Sequence, residues 1–282
     1  MLECVVNLSE GRDPARLEGF RSAVEPVLLD VHADPYLNRS VLTLAGEPDE
    51  LHHHVAALAQ LAVATLDLGS HRGEHPRLGV IDVVPFVDLA DAALPATEQS
   101  LSARDRFADW AAAAVGLPCF LYGPDRALPD VRREAWRSLW PDRGPSQPHP
   151  TAGAVCVGAR GALIAYNLVL ATPDVSVARR VAAAVRQPGL RALGFAVGPR
   201  VEVSCNLTDP YRLGPAQAYD AVAAALASEG QDPIESAELV GLLPAEVLAA
   251  VAPDRWRQLG IGPERTIEAA LEGPRQARPR SW

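Results

Sequence analysis

The stretch Ser70-His-Arg-Gly-Glu-His-Pro-Arg-Leu-Gly79 gathers two imidazoles with the charged side chains of Arg72, Glu74 and Arg77. It runs straight into the β-branched segment Val80-Ile-Asp-Val-Val-Pro-Phe86. A polar, glycine-punctuated loop feeding a core strand holds ionisable groups on a rigid support, which suits an active site. Three chemistries fit these residues. His71-Arg-Gly-Glu-His75 spells the H-x-x-E-H zinc signature, but residues four apart share a face only on a helix. Gly73 and Pro76 oppose a helix here, and no metal is expected. A single histidine acting as general acid–base has a free pKa near neutrality, with Glu74, Arg72, Arg77 and Asp82 available to orient it or to hold an anion. The third possibility is structural, a histidine that hydrogen-bonds backbone and pins the loop. The clustering of charge around it favours the second. Pro76, next to the core strand, anchors His75, whereas His71 at the glycine-flanked entrance of the loop should be harder to immobilise.

The elements that must position this loop follow from periodicity. Leu2 to Leu8 alternates as a strand, and Gly11 and Pro14 turn it into a helix to about Val24. Val27 to Val31 reads as a strand, and Ser40 to Ala45 pairs back with it after the turn Asp34-Pro-Tyr-Leu-Asn38. Pro48 opens a helix to about Leu66, and the loop and its strand come next. The order β-α-β-β-α-β is that of a ferredoxin-like unit. A helix over 100–115, a short strand over 119–122 and a helix over 129–139 follow. The Pro-rich segment Trp140 to Pro150 forbids regular structure. The same element order then repeats from Ala162 to Leu239, and short helices over 244–251 and 253–259 close it. The expectation is an α+β protein of two ferredoxin-like (βαββαβ) subdomains with a cleft between them. The first covers 1–143 and the second 144–272, with a disordered tail over 273–282.

Composition bounds the function. The 282 residues are 48% hydrophobic and contain no lysine, so all 26 basic side chains are arginine. That excludes an internal Schiff-base lysine and a P-loop lysine. Every fixed positive charge able to grip a carboxylate is then a guanidinium, suited to bidentate contact. A net charge of −9 argues against nucleic acid as a partner. No apolar run is long enough to span a bilayer, and Met1-Leu-Glu-Cys lacks the basic start of a signal peptide, so a cytoplasmic location is expected. Cys4, Cys119, Cys156 and Cys205 are widely spaced in apolar segments and read as buried thiols. His52-His-His54 points three ways from a helix and reads as a solvated face rather than a metal site.

His-Arg-Gly-Glu-His-Pro-Arg-Leu-Gly followed by Asp-Val-Val-Pro-Phe resembles the signature of the glutamate formiminotransferases. These occur as stand-alone bacterial enzymes and as the first half of formiminotransferase–cyclodeaminases. Further blocks carry the likeness in order: Cys4-Val-Val-Asn-Leu-Ser-Glu-Gly11, Leu28 to Asp34 with Asn38-Arg-Ser-Val41, Gly144-Pro-Ser with Thr151-Ala-Gly-Ala, Gly158-Ala-Arg160 with Leu163 to Asn167, and Val203 to Leu207. The resemblance covers about residues 1–250. It implies transfer of the formimino group of N-formimino-L-glutamate to N5 of tetrahydrofolate, a co-substrate, in histidine degradation. It implies His75 as the catalytic histidine, with His32 and Asp34 as further acid–base candidates and Asn38, Arg39 and Arg77 toward the substrate carboxylates. Gly158, Ala159, Arg160, Ala165, Tyr166 and Asn167 would face the folate, and the protein would be a homodimer with small-molecule partners and no membrane. Two departures stand out. Vertebrate-type members carry Asp where His32 stands, and Lys-Phe where this chain has Gly161-Ala162. A formyltransferase acting on formylglutamate, or a non-catalytic folate-binding protein, are the alternatives.

Overall fold

Leu2, Cys4, Val6 and Leu8 are fully buried and set the inner face of the first strand, β1 (Leu2–Leu8). α1 (Pro14–Val24) starts where Asp13 accepts from the amides of Ala15 and Arg16, and it packs Phe20 and Val24 inward. β2 (Leu28–Asp34) and β3 (Arg39–Gly46) form the hairpin, and α2 (Pro48–Thr65) follows. The chain then enters β4 (Ile81–Asp88), α3 (Glu98–Val115), β5 (Cys119–Tyr122), α4 (Leu128–Glu134) and β6 (Val155–Ala159). The computed structural model describes residues 1–74 and 76–273. These divide into two units, with the boundary along the chain between Gly161 and Ala162. His75 and residues 274–282, which hold all but the first residue of the expected tail, lie outside the described residues.

In the first unit the strands run in the order β2-β3-β1-β4-β6-β5, with each neighbouring pair from β2 to β4 antiparallel and β6 parallel to both β4 and β5. One face is the main core, where Leu2, Leu8, Leu42 and Leu44 meet Phe20, Leu51, Val55, Leu58 and Phe107 of the helices. A smaller cluster on the other face joins Val83, Phe120, Tyr122 and Cys156 to Val131 of α4 and to Ala135 just after it. α4 ends at Glu134, short of the expected 139, because Trp136 adopts a positive φ of 65°. The strand β6 was not expected. Residues 144–161 therefore belong with the first unit, since Cys156 pairs with Val83 and Phe120.

Two register shifts decide which side chains face where. On β2, Leu28 pairs with Leu44 but Asp30 pairs with Thr43. The extra residue leaves Val31 against the core and turns Asp30, His32 and Asp34 to the opposite face. Between β1 and β4, Leu8 pairs with Ile81 and Asn7 with Val83, so Asp82 is the bulged residue.

The second unit contains β7 (Ile164–Leu170), α5 (Val175–Val185), β8 (Leu190–Val197), β9 (Arg200–Leu207), α6 (Pro215–Ser228) and β10 (Ile234–Val240). The short helices α7 (Ala245–Ala249), α8 (Trp256–Leu259) and α9 (Ile267–Glu272) follow. Its antiparallel sheet has the order β10-β7-β9-β8. α5 and α6 bury Val177, Val181, Val185, Val222 and Leu226 against Ile164, Leu168, Val203 and Leu207. Each unit thus runs β-α-β-β-α-β with the fourth strand beside the first and the second at the far edge. Among the described residues, no helix is long and apolar enough to cross a membrane.

Candidate active site

Asn38 ties three segments of the first unit together. Its amide oxygen accepts from the Gly11 amide at 3.0 Å, and its amide nitrogen donates to Arg72 O at 3.0 Å. Its own carbonyl accepts from His71 Nε2 at 2.9 Å. Asn38 holds a φ of 49°, a left-handed conformation that asparagine tolerates. Gly73 lies so close to Leu37 O that a Cβ there would collide with it. The segment after β1, the β2–β3 turn and the loop before β4 are therefore one knot, with Asn38 at its centre.

His71 is firmly held, contrary to the sequence expectation. Its ring lies between Asn38 O and Arg77 Nη1, and Arg77 Nη2 continues to Gly73 O at 2.8 Å. Burial, against a favourable hydrogen bond to Asn38 and with a further push from Arg77, puts the His71 pKa below its ordinary value. The segment 71–74 is irregular rather than helical, as Gly73 and Pro76 implied. His75 lies outside the described residues.

Asp82 anchors the other side of the loop. The carboxylate, 3% exposed, accepts from Leu78 N at 2.7 Å and from Arg132 Nη2 at 2.5 Å. Arg132 also donates to Pro76 O at 3.0 Å. Burial works against the Arg132 charge, but Asp82 outweighs it and raises the guanidinium's pKa. Arg39 donates to Asn7 Oδ1. Burial lowers its pKa to about 10, with Asp82 supporting its charge and Arg132 and Arg77 opposing it. Arg39, Arg77 and Arg132 thus share one electrostatic neighbourhood with Asp82. At neutral pH Arg39 remains a cation in a desolvated setting, where charge-assisted bonds to a carboxylate are strong.

His32 and Asp34 are buried on the face of β2 that also carries Asp30, and Asp34 pairs across the hairpin with Arg39. One oxygen of Asp34 accepts from the amides of Tyr36 and Leu37, so this carboxylate caps the turn. Glu10, just after β1, binds the amides of Arg12 and Asp13 and the Arg16 guanidinium. Arg132, Asn7 and Glu10 were not singled out from the sequence. Arg132 sits on a separate helix with nothing local to link it to Asp82, whereas Glu10 lies in the Ser-Glu-Gly turn that closes β1.

The residues expected to face folate divide between the units. Gly158 and Ala159 are buried in β6, and a Cβ on Gly158 would enter the Tyr122 ring. Arg160 donates its amide to Phe86 O at 3.1 Å and Nη1 to Gly161 O at 2.8 Å. Ala165, Tyr166 and Asn167 lie on β7, where Ala165 and Asn167 are half-buried on the face away from the core. Tyr166 is a core residue, and its hydroxyl donates to Leu259 O at 2.8 Å. Its ring is committed inside the second unit.

His54 Nδ1 contacts Ala23 O at 3.0 Å, and His52 sits edge-on to Phe107 and Trp110, so two of the three tandem histidines pack rather than face solvent. The four cysteines are buried and free; burial pushes Cys119 and Cys205 up to about 12 and raises Cys4 and Cys156 as well.

Residues 1–160 match the formiminotransferase domain, N-terminal subdomain. The chain belongs to the formiminotransferase family. The match spans nearly all of the first unit, including the Asn38 knot and the Asp82–Arg132 pair. A glutamate formimidoyltransferase from Thermoplasma acidophilum is 34% identical over 304 residues, covering 96% of this chain and 97% of its own length. One from Streptococcus pyogenes serotype M1 is 30% identical, covering 89% of this chain and 92% of its own. The formimidoyltransferase-cyclodeaminase of Sus scrofa is 31% identical over an alignment of 284 positions, covering 89% of this chain and 52% of that bifunctional protein.

Proposed function

We propose that this protein is a glutamate formimidoyltransferase that moves the formimino group of N-formimino-L-glutamate to N5 of tetrahydrofolate, in histidine degradation and one-carbon metabolism. The likeness to glutamate formimidoyltransferases along almost the whole of both chains carries this reading. The guanidinium neighbourhood supports it, since the donor carries two carboxylates and this chain has only arginine with which to grip them. The strand order of each unit supports reading both as ferredoxin-like subdomains of that family.

In this reading N5 attacks the formimino carbon to give a tetrahedral intermediate, and glutamate leaves with its nitrogen. The proton lost by N5 equals the proton gained by glutamate, so one base that becomes an acid serves both steps. His75 is that group, and His32 and Asp34, on one face of β2, are the candidates for the second. Arg39 and Arg77 take the substrate carboxylates, while Asn38 organises the loop that presents them. Gly158, Ala159, Arg160, Ala165 and Asn167 contribute to the folate side, and Tyr166 does so through its place in β7 rather than its ring. The protein would act as a cytoplasmic homodimer.

A spectrophotometric transferase assay with formiminoglutamate and tetrahydrofolate tests the function, with formylglutamate run in parallel. Turnover of the formimino donor supports it. Turnover of formylglutamate alone would make the protein a formyltransferase, and turnover of neither would overturn the enzyme reading.

A further inference from the structure

We propose that His71 is the positioning residue for Arg77, acting as a neutral imidazole with its proton on Nε2, and that protonating it weakens binding of the dianionic glutamate substrate. The second half rests on the functional reading above, and the first half does not. The tautomer follows from the partners. A carbonyl oxygen only accepts, so Asn38 O at 2.9 Å requires a proton on Nε2. A guanidinium only donates, so Arg77 Nη1 requires the lone pair of Nδ1. A neutral ring satisfies both contacts, and an imidazolium cannot.

With Nη2 on Gly73 O at 2.8 Å, the Arg77 plane is fixed by two acceptors earlier in the same loop. A planar cation held in this way presents one orientation to a carboxylate, which matters for a donor fork of fixed geometry. A proton on Nδ1 would set N–H against N–H and positive charge against positive charge, and Arg77 would have to swing away.

The charged groups acting on His71 come from the segment after β1 and from the loop itself. Glu10 and Arg12 lie after β1, with opposing effects on the imidazolium. From the turn comes only the uncharged Asn38, whose carbonyl accepts from Nε2. From the loop itself comes Arg77, which disfavours a second charge. Burial adds to this, so His71 stays neutral until the pH falls below the ordinary histidine range, and Arg77 loosens only there.

The test has two arms. Histidine-¹⁵N NMR, with the His71 signals assigned by their loss in His71→Gln, should show Nε2 protonated and Nδ1 bare at neutral pH; this readout needs no catalysis. The KM for formiminoglutamate is then followed against pH. In the wild type it should rise on the acid side. His71→Gln keeps an amide donor and a carbonyl acceptor without a titrating ring, so it should keep a low KM and lose the acid rise. His71→Leu should raise KM roughly 10-fold with kcat within a few-fold, and should add nothing to KM once Arg77→Met is present. A proton on Nδ1, an acid rise that survives in His71→Gln, or additive effects of the two variants would overturn the proposal. If the wild type turns over no formiminoglutamate, the functional reading fails and the NMR arm alone decides the His71–Arg77 pairing.

Discussion

Arg132 Nη2 meets Asp82 Oδ2 at 2.5 Å, joining α4 to the bulge at the start of β4. The pair also reaches both ends of the segment after His75, through Pro76 O and Leu78 N. Arg132→Met removes the salt bridge of a buried carboxylate, and breaking such a pair costs about 3 kcal/mol. Urea unfolding should show the stability lowered by that amount, read as a lower midpoint at unchanged m. The double variant Asp82→Asn with Arg132→Met should recover part of the loss. Equal stability of the wild type and Arg132→Met would show that the pair contributes nothing to the fold.

Asn38 separates loop geometry from backbone strain. Asn38→Ala removes the bonds to Gly11 and Arg72 and leaves an alanine at φ 49°. The expected cost is about 2–3 kcal/mol, together with a large fall in activity. Asn38→Gly suits the backbone and should recover part of the stability but not the activity. If Asn38→Gly turned over normally, the side-chain knot would be irrelevant to catalysis.

Much of this architecture was legible in the sequence because its signals are local. The alternation in Leu2–Leu8, the Pro48 helix start and the repeated β-α-β-β-α-β order rest on near-neighbour periodicity. The parallel strand β6 was not legible. Val155-Cys-Val-Gly-Ala pairs with residues more than seventy positions earlier, and nothing in its own composition marks that partner. The Asp82–Arg132 pair is invisible for the same reason, as is the bulge that turns Asp82 toward α4. The fixed His71 ring is not legible because flanking glycine suggests mobility, whereas Gly73 lets the loop close onto Leu37. Tyr166 sits in a motif that resembles a folate contact, but strand parity sends its ring to the core.

Gly158 separates packing from ligand binding in the segment proposed to face folate. A methyl group there would enter the Tyr122 ring, so Gly158→Ala should cost about 1–3 kcal/mol through overpacking. Gly158→Ala combined with Tyr122→Leu should regain stability. Folinic acid calorimetry on the double variant then reads the ligand side separately. Undiminished stability of the single variant would mean that the ring yields without cost.

Glu10 should make stability acid-sensitive. Burial opposes its ionisation, but the Arg12 and Asp13 amides and the Arg16 guanidinium outweigh it and hold its carboxyl below the usual range. The unfolded chain then binds more protons, so this stabilisation is complete above about pH 4.3 and is lost as pH falls through the folded-state pKa. Urea midpoints across that range should fall less steeply for Glu10→Gln than for the wild type. Identical slopes would remove Glu10 from the acid response.

The most direct test of the enzyme reading is kcat for formimino transfer in His75→Ala, measured with formiminoglutamate and tetrahydrofolate both saturating. General acid–base catalysis by one placed group contributes about 10²–10⁴ in rate. The variant should lose kcat by that factor, while folate affinity stays within a few-fold. A near-normal kcat with only KM raised would make His75 a binding or structural residue and contradict the mechanism.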